Sequence, residues 1–270
     1  MTVFCNGQPA QLEDVLPALV NYGHFTSMQV RGHAVQGVDL HLARLSQATR
    51  ELFGSELDVA QVQDWMAQAL LQAGQGDASL RVTVYSRKFD FRHPLATVPV
   101  DVLVAVSAPV ALVAPKRVRS VVWQRELPHL KHVGTFGLFA ERRAALAAGV
   151  DDALFVSAEG AISEGTTWNL AVHDGERLLW PQAPALRGTA EALLQQHWPG
   201  TQVTQPLRLA DLARMKAAFA CNASGVWALD AIDGQALPDS QALAEQGRAV
   251  LAGVAWDDLG SEPFCAAKGI

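Results

Sequence analysis

Strand-like and helix-like periodicities alternate on both sides of one proline-broken segment, "APVALVAPKRVR", and that pattern restricts the chain to two mixed α and β lobes. Before the break, "VDLHLARLSQATRELFG" places Val38, Leu42, Leu45, Thr49 and Leu52 on one helical stripe, with Gly54 as its stop. A second helix is expected through "VAQVQDWMAQALLQAG", and "TSMQVRG" reads as a strand entering a turn. "LRVTVYSR" alternates strictly, so Arg81, Thr83, Tyr85 and Arg87 share one strand face, and "DVLVAV" is apolar throughout, as a buried strand would be. After the break come a strand at "SVVWQREL", an alanine-rich helix ending at Gly149 and a strand at "DALFVS". "WNLAVHDG" is a further strand and turn, "RGTAEALLQQHW" starts a helix at a glycine-threonine pair, and "AFACNASGVWALDAIDG" makes two short strands. A last helix runs through "SQALAEQGRAVLAGV". The expected organisation is a smaller N-terminal α/β domain over residues 1–112, a linker over 113–120 and a larger C-terminal domain over 121–270.

A chain of 270 residues with 50% apolar and 18% charged residues has a globular balance. Its net charge of −6 gives no electrostatic footprint for nucleic acid, and "KRVR" at 116–119 reads as a solvated linker. Cys5, Cys221 and Cys265 are far apart, match no metal spacing and suit a reducing compartment. "MTVFCNGQPA" lacks a signal-peptide pattern, and the longest apolar run is interrupted by Pro109, too short to span a bilayer. The expectation is a soluble, cytoplasmic protein that binds neither nucleic acid nor membrane and holds no metal.

One short stretch, "ELPHLKHVGTFG", sets a single lysine, Lys131, between a proline turn and glycine-spaced apolar residues. A lysine in a loop usually reaches water. Desolvation, or a nearby cation, instead favours the neutral amine that condenses with an aldehyde. Composition alone leaves both readings open.

The ordered motifs decide between them. "YGHFTSMQVRG", "LHLARLSQAT", "LKHVGTFGLFAERRAALAAGVDDALFVSAEGAISEGTTWNLAV", "LRGT" and "CNASGVWALDAIDG" span residues 22 to about 232. Together they resemble the class IV aminotransferase family of pyridoxal-phosphate (PLP) enzymes, which includes branched-chain and D-amino acid aminotransferases and aminodeoxychorismate lyase. The most specific part is a lysine followed by a helix, a "G-x-D-D-A-L" strand and an "S-E-G-x-x-x-N" turn. The resemblance implies a two-domain α+β fold of the D-amino acid aminotransferase-like type, PLP fold type IV, and a homodimer.

The same resemblance implies a role for each matching residue. Lys131 matches the lysine that forms the Schiff base with pyridoxal 5'-phosphate and then moves the substrate α-proton. Glu164 matches the carboxylate facing the pyridine nitrogen, where an acid keeps the ring an electron acceptor. Arg44, off the apolar stripe, matches the arginine on the cofactor phosphate, although a solvent-facing arginine has the same spacing. Thr189 matches a second phosphate contact or is an ordinary helix cap, and Asn222 with Ala223 matches a third or forms a plain turn. Phe25, Tyr85 and Arg87 are candidates for substrate binding, with a polar outer sheet face as the alternative for the last two.

Some positions depart from the family pattern. Arg187 precedes the glycine of "RGTAEA", whereas many members carry an arginine after it. Gly134 and Thr135 stand where many have asparagine and a large residue, and Thr26 stands where many transaminases carry glutamate. The implied function is an aminotransferase acting on an amino acid or related small amine, with a keto acid as second substrate. Aminodeoxychorismate lyase, releasing pyruvate from aminodeoxychorismate, is the alternative, favoured by Thr26 and by the "LKHV" segment. A binding module that has lost its cofactor is the third reading.

Overall fold

The computed structural model describes residues 1–14, 19–111 and 114–260, so Cys265 and the expected domain end at 112–113 lie outside the described residues. The chain divides into two compact units. One comprises Met1–Val110, Lys131–Val133 and Ala255–Ile270; the other comprises Ala111–Leu130 and Gly134–Val254.

The first unit is built on five strands, β1 (Thr2–Cys5), β2 (Gln8–Pro9), β3 (His24–Val30), β5 (Ala78–Tyr85) and β6 (Asp101–Ser107). A short strand β4 (Ala34–Val35) stands outside their sheet. The five pair antiparallel in the order β2-β1-β6-β5-β3. Strand alternation gives one face to Met28, Val30, Leu80, Val82, Val84, Val102, Val104 and Val106, all buried in one core. The amphipathic helices Val38–Phe53 and Val59–Ala73 cover that face through Leu42, Leu45, Phe53, Val62, Met66 and Leu70. The expected stop of the first helix is where the sequence puts it: Gly54 adopts φ 66 and returns its N–H to Arg50 O. Its start is unusual. Gly37 has no capping side chain, and the Val38 N–H donates instead to Asp257 Oδ2 at 3.1 Å. Asp257 belongs to β16 (Asp257–Asp258), which pairs with β4.

The second unit carries the strands β7 (Lys116–Val122), β8 (Asp152–Val156), β9 (Ile162–Gly165), β10 (Asn169–His173), β11 (Leu178–Pro181), β12 (Gln202–Gln205), β13 (Ala217–Asn222) and β14 (Gly225–Ile232). They form a mixed sheet of order β12-β11-β10-β13-β14-β7-β8-β9, with β15 (Gln235–Ala236) added to β14. Helices Phe136–Ala147, Thr189–His197 and Ser240–Ala252 accompany them. No helix among the described residues is long and apolar enough to cross a membrane.

Two sequence expectations need revision. Residues 116–119, read as a solvated linker, lie in β7, which is paired in parallel on both sides, to β8 and β14, with Val118 buried. Lys116 is likewise held, donating to the buried Asp152 at 2.9 Å. Lys131, expected within the C-terminal domain, groups with the first unit because the backbone of residues 131–133 pairs with the chain around β3.

Asp152, in the "DDAL" strand, is a buried acid with several partners. Thr166 Oγ1 donates to its Oδ1 at 2.6 Å, and Arg142 Nε lies 3.7 Å from Oδ2, beyond the Lys116 ammonium. Removing one partner of a buried pair strands the other, typically at a cost of about 3–5 kcal/mol. Asp152→Ala is therefore expected to lower unfolding free energy by about that amount, and Asp152→Asn by less, in urea titrations followed by circular dichroism.

Candidate active site

In the first unit the site grows from the edge of β3. Phe25 N–H donates to the Lys131 carbonyl at 2.9 Å, Val133 N–H to the Gly23 carbonyl at 3.0 Å, and His24 and His132 form an antiparallel bridge. This pairing fixes where the lysine leaves the main chain. Its Nζ lies 4.9 Å from the Phe25 ring centroid, and the Arg81 guanidinium carbon lies 3.5 Å from the same centroid. Arg81 also donates through Nε to Thr83 Oγ1 at 3.3 Å, and burial pulls its pKa below the usual arginine value. Two cations thus address one buried aromatic ring, within the range of cation–π attraction.

Arg44 does not face open solvent. Its Nη2 donates to Thr26 Oγ1 at 2.7 Å and lies 3.4 Å from His41 Nδ1, while its Nε is buried with no hydrogen-bond partner among the described residues. Burial draws its pKa down to about 10. A half-buried guanidinium beside a hydroxyl and an imidazole, with an enclosed donor to spare, suits an anion. His41 and His24 are buried too, and burial depresses both pKa values to about 3, with Arg44 and Lys131 adding to the effect on His41. His24 Nε2 lies 3.0 Å from Thr49 Oγ1, whose hydroxyl donates to Leu45 O at 2.9 Å, so the imidazole donates and His24 Nδ1 is left bare. Sequence reasoning did not single out His24 and His41, and it noted Thr26 only as a departure from the family pattern, not as a support of Arg44. The signal was their register: His24 and Thr26 alternate with Phe25 on β3, and His41 stands one turn before Arg44.

Tyr85 and Arg87 are placed differently from the carboxylate site the strand alternation suggested. Arg87 Nη2 is 3.0 Å from Asp14 Oδ1 and 3.2 Å from Asp101 Oδ1, so two acids of the chain already occupy it. Tyr85 is buried and its hydroxyl donates to Asp14 O at 2.7 Å. On that strand Arg81, not Arg87, has no acidic partner among the described residues.

In the second unit, Glu164 lies near the end of β9 and is 3% exposed. Arg125, which the sequence did not single out, meets it through two nitrogens, Nε to Oε1 at 2.9 Å and Nη2 to Oε2 at 3.5 Å. This fork holds the carboxylate plane. The adjoining Gly165 is obligatory, because a Cβ there would fall 1.9 Å from the Trp168 ring. At the phosphate-type turn, a Cβ on Gly188 would lie 2.3 Å from Asn169 Oδ1, itself fixed by Asn169 Nδ2 donating to Leu186 O at 2.7 Å. Thr189 is buried at the first position of the following helix, whose first-turn N–H groups lack intrahelical acceptors. Arg187 pairs with Glu191 at 2.9 Å, and burial raises the pKa of that carboxyl. Asn222 has both side-chain ends engaged, Nδ2 to Thr167 O at 3.0 Å and Oδ1 from Ser224 N–H at 2.8 Å. An anion at Asn222 and Ala223 would be met by backbone N–H groups or by the second hydrogen on Asn222 Nδ2.

Comparison with known proteins supplies the family and the fold. The model of the family described as amino-transferase class IV matches residues 23–232. The fold is that of the Escherichia coli branched-chain amino acid aminotransferase (TM-score 0.83, 16% identity, 96% of this chain and 99% of that one). A PLP-bound hypothetical aminotransferase from Mycobacterium tuberculosis is similar (0.78, 22% identity, 93% and 98% covered). So is a Legionella pneumophila protein assigned as 4-amino-4-deoxychorismate lyase (0.76, 20% identity, 87% and 92%). No curated protein matches the sequence significantly. The chain belongs to the class IV aminotransferases, and it is an enzyme of that type with PLP fold type IV.

The depressed histidines set a pH dependence. Unfolded, His24 and His41 take up protons near the ordinary value of 6.5, and folded only near about 3. The unfolded chain therefore binds more protons in that window, and stability falls as pH drops from about 6.5 towards 3. Each histidine contributes roughly 1.4 kcal/mol per pH unit there. Replacing His24 by Gln is expected to flatten the slope of unfolding free energy between pH 6 and pH 4 by about that much, measured by urea titration across pH.

Proposed function

We propose that the chain is a pyridoxal-phosphate-dependent aminotransferase that passes an amino group between an amino acid and a keto acid. The observation that carries this reading is Arg44, a half-buried cation whose enclosed Nε is a spare donor and which has no acid beside it among the described residues, in the unit that also holds Lys131. A phosphate monoester suits that donor set, and the N–H groups at Thr189 suit it as well. When bound, pyridoxal phosphate supplies an aldehyde and an electron-accepting ring that makes the α-proton of an amino acid removable.

The residues then take separate tasks. Lys131 Nζ would be the amine that holds the cofactor through its aldehyde and the base for the substrate α-proton. Glu164, its carboxylate held by the Arg125 fork, would be the acid for the ring nitrogen. Each unit offers phosphate donors of its own, Arg44 in the first and the N–H groups at Thr189, Asn222 and Ala223 in the second. Phe25 is a wall of the substrate site, and Arg81, laid against its ring, receives a substrate carboxylate. Arg81 takes the role first given to Tyr85 and Arg87.

The two compact units are proposed as the two domains expected from sequence. We further propose a cytoplasmic homodimer; exposed Phe136, Phe139 and Leu146, on one stripe of a helix in the second unit, support burial against a second copy. A lyase acting on aminodeoxychorismate is the second reading, favoured by Thr26, by "LKHV" and by the similarity to the Legionella protein.

Borohydride treatment of the protein with added pyridoxal phosphate is expected to abolish a visible absorbance band and to attach the cofactor to the Lys131 peptide, read by mass spectrometry. Lys131→Ala should lose both; turnover in that variant equal to the parent would end the proposal. An amino-donor panel followed through the cofactor spectrum separates the reactions, since pyruvate formed from aminodeoxychorismate without any keto acid identifies the lyase. Arg81→Met is expected to raise KM for the carboxylate-bearing substrate about tenfold or more with a smaller change in kcat, measured by steady-state kinetics.

A further inference from the structure

The hydroxyl of Thr26 has one hydrogen and two close neighbours. Arg44 Nη2 lies 2.7 Å away and His41 Nδ1 lies 2.6 Å away. A guanidinium only donates, so the oxygen accepts from Arg44. The hydroxyl hydrogen is left for His41 Nδ1, which must then be a bare acceptor. A proton on Nδ1 would also face the Arg44 nitrogen 3.4 Å away, donor against donor. The ring proton of His41 therefore belongs on Nε2, and the imidazole is neutral. Burial together with the charges of Arg44, on the same helix, and Lys131, on the segment paired with β3, keeps it so.

We propose that His41 is a positioning residue for Arg44, acting through the Thr26 hydroxyl with its ring proton fixed on Nε2. The chain of bonds runs one way, from guanidinium to hydroxyl to imidazole, and each bond polarises the next. It anchors one face of the guanidinium while adding no negative charge. A carboxylate in place of the hydroxyl would hold Arg44 equally well but would cancel the charge offered to an anion. His41 thus orients the cation and leaves its charge uncompensated for a phosphate monoester. The inference rests on the reading of Arg44 as the phosphate ligand.

The test compares affinities of the cofactor-free protein for pyridoxal phosphate and for pyridoxal, which lacks the phosphate, by spectral titration. His41→Leu is expected to weaken pyridoxal phosphate about tenfold, as loss of one buried acceptor would, with pyridoxal changed less than about threefold. His41→Asn, whose Oδ1 replaces Nδ1 as acceptor, should restore the parent preference. If Arg44→Leu leaves the preference for the phosphate-bearing ligand unchanged, the phosphate reading of Arg44 fails and this inference with it. If Arg44→Leu abolishes the preference while His41→Leu keeps it, only the role of His41 is overturned. A fold-independent check uses the unaltered protein: ¹⁵N NMR of the histidine-labelled chain should show the His41 signal, assigned by its absence in His41→Asn, with Nε2 protonated and Nδ1 bare from pH 8 to pH 5. Protonation at Nδ1, or titration near the ordinary histidine value, would overturn it.

Discussion

The backbone pairing of residues 131–133 with the edge of β3 is the constraint on which the site in the first unit depends. A lysine side chain has four rotatable bonds, and a free loop would spread its amine over a wide volume. Two main-chain hydrogen bonds to Gly23 and Phe25 remove that freedom at the Cα, and the amine is then found over the Phe25 ring. The same strand supplies Thr26 one residue on, so one element places the lysine, the aromatic wall and the support of Arg44. Strand alternation separates them by face: Phe25 faces Arg81, and Thr26 faces the helix bearing His41 and Arg44.

Each charged group in the two units shows whether the chain itself has claimed it. Arg87, Arg125, Lys116 and Arg187 all have a carboxylate within ion-pairing distance, and these are structural or orienting cations. Arg44 is half-buried and Arg81 is exposed at one end but laid over the Phe25 ring; neither has an acid beside it among the described residues. Leaving a cation buried and unmatched costs free energy, and chains tolerate that where a ligand supplies the missing charge. Sorted by this rule rather than by position along the chain, Arg87 is a claimed cation and Arg81 an unclaimed one.

Much of the fold was legible in local pattern. The Val38–Phe53 helix, with Gly54 as its stop, and the buried strand β6 follow from periodicity alone. Lys131 and Glu164 were legible through an ordered set of motifs, because their spacing along the chain is characteristic. What stayed hidden was set by pairing across long sequence separations. Arg125 gains meaning only from Glu164, 39 residues on. "KRVR" has the composition of a linker, yet parallel pairing on both sides makes it an interior strand. Thr26 and His41 carry only the weak signal of register, since their contact with Arg44 depends on how β3 packs against the helix.

The helix that carries Arg44 begins at residue 38 and takes the carboxylate at its N-terminus from Asp257, 219 positions later. During synthesis on the ribosome, all five strands of the first sheet and both of its helices emerge long before that carboxylate exists, and all of them precede the 131–133 segment. A nascent chain that has reached only Val110 therefore holds an unclosed β3 edge and an uncapped helix, and the unit bearing the lysine is finished only when residue 257 has been released.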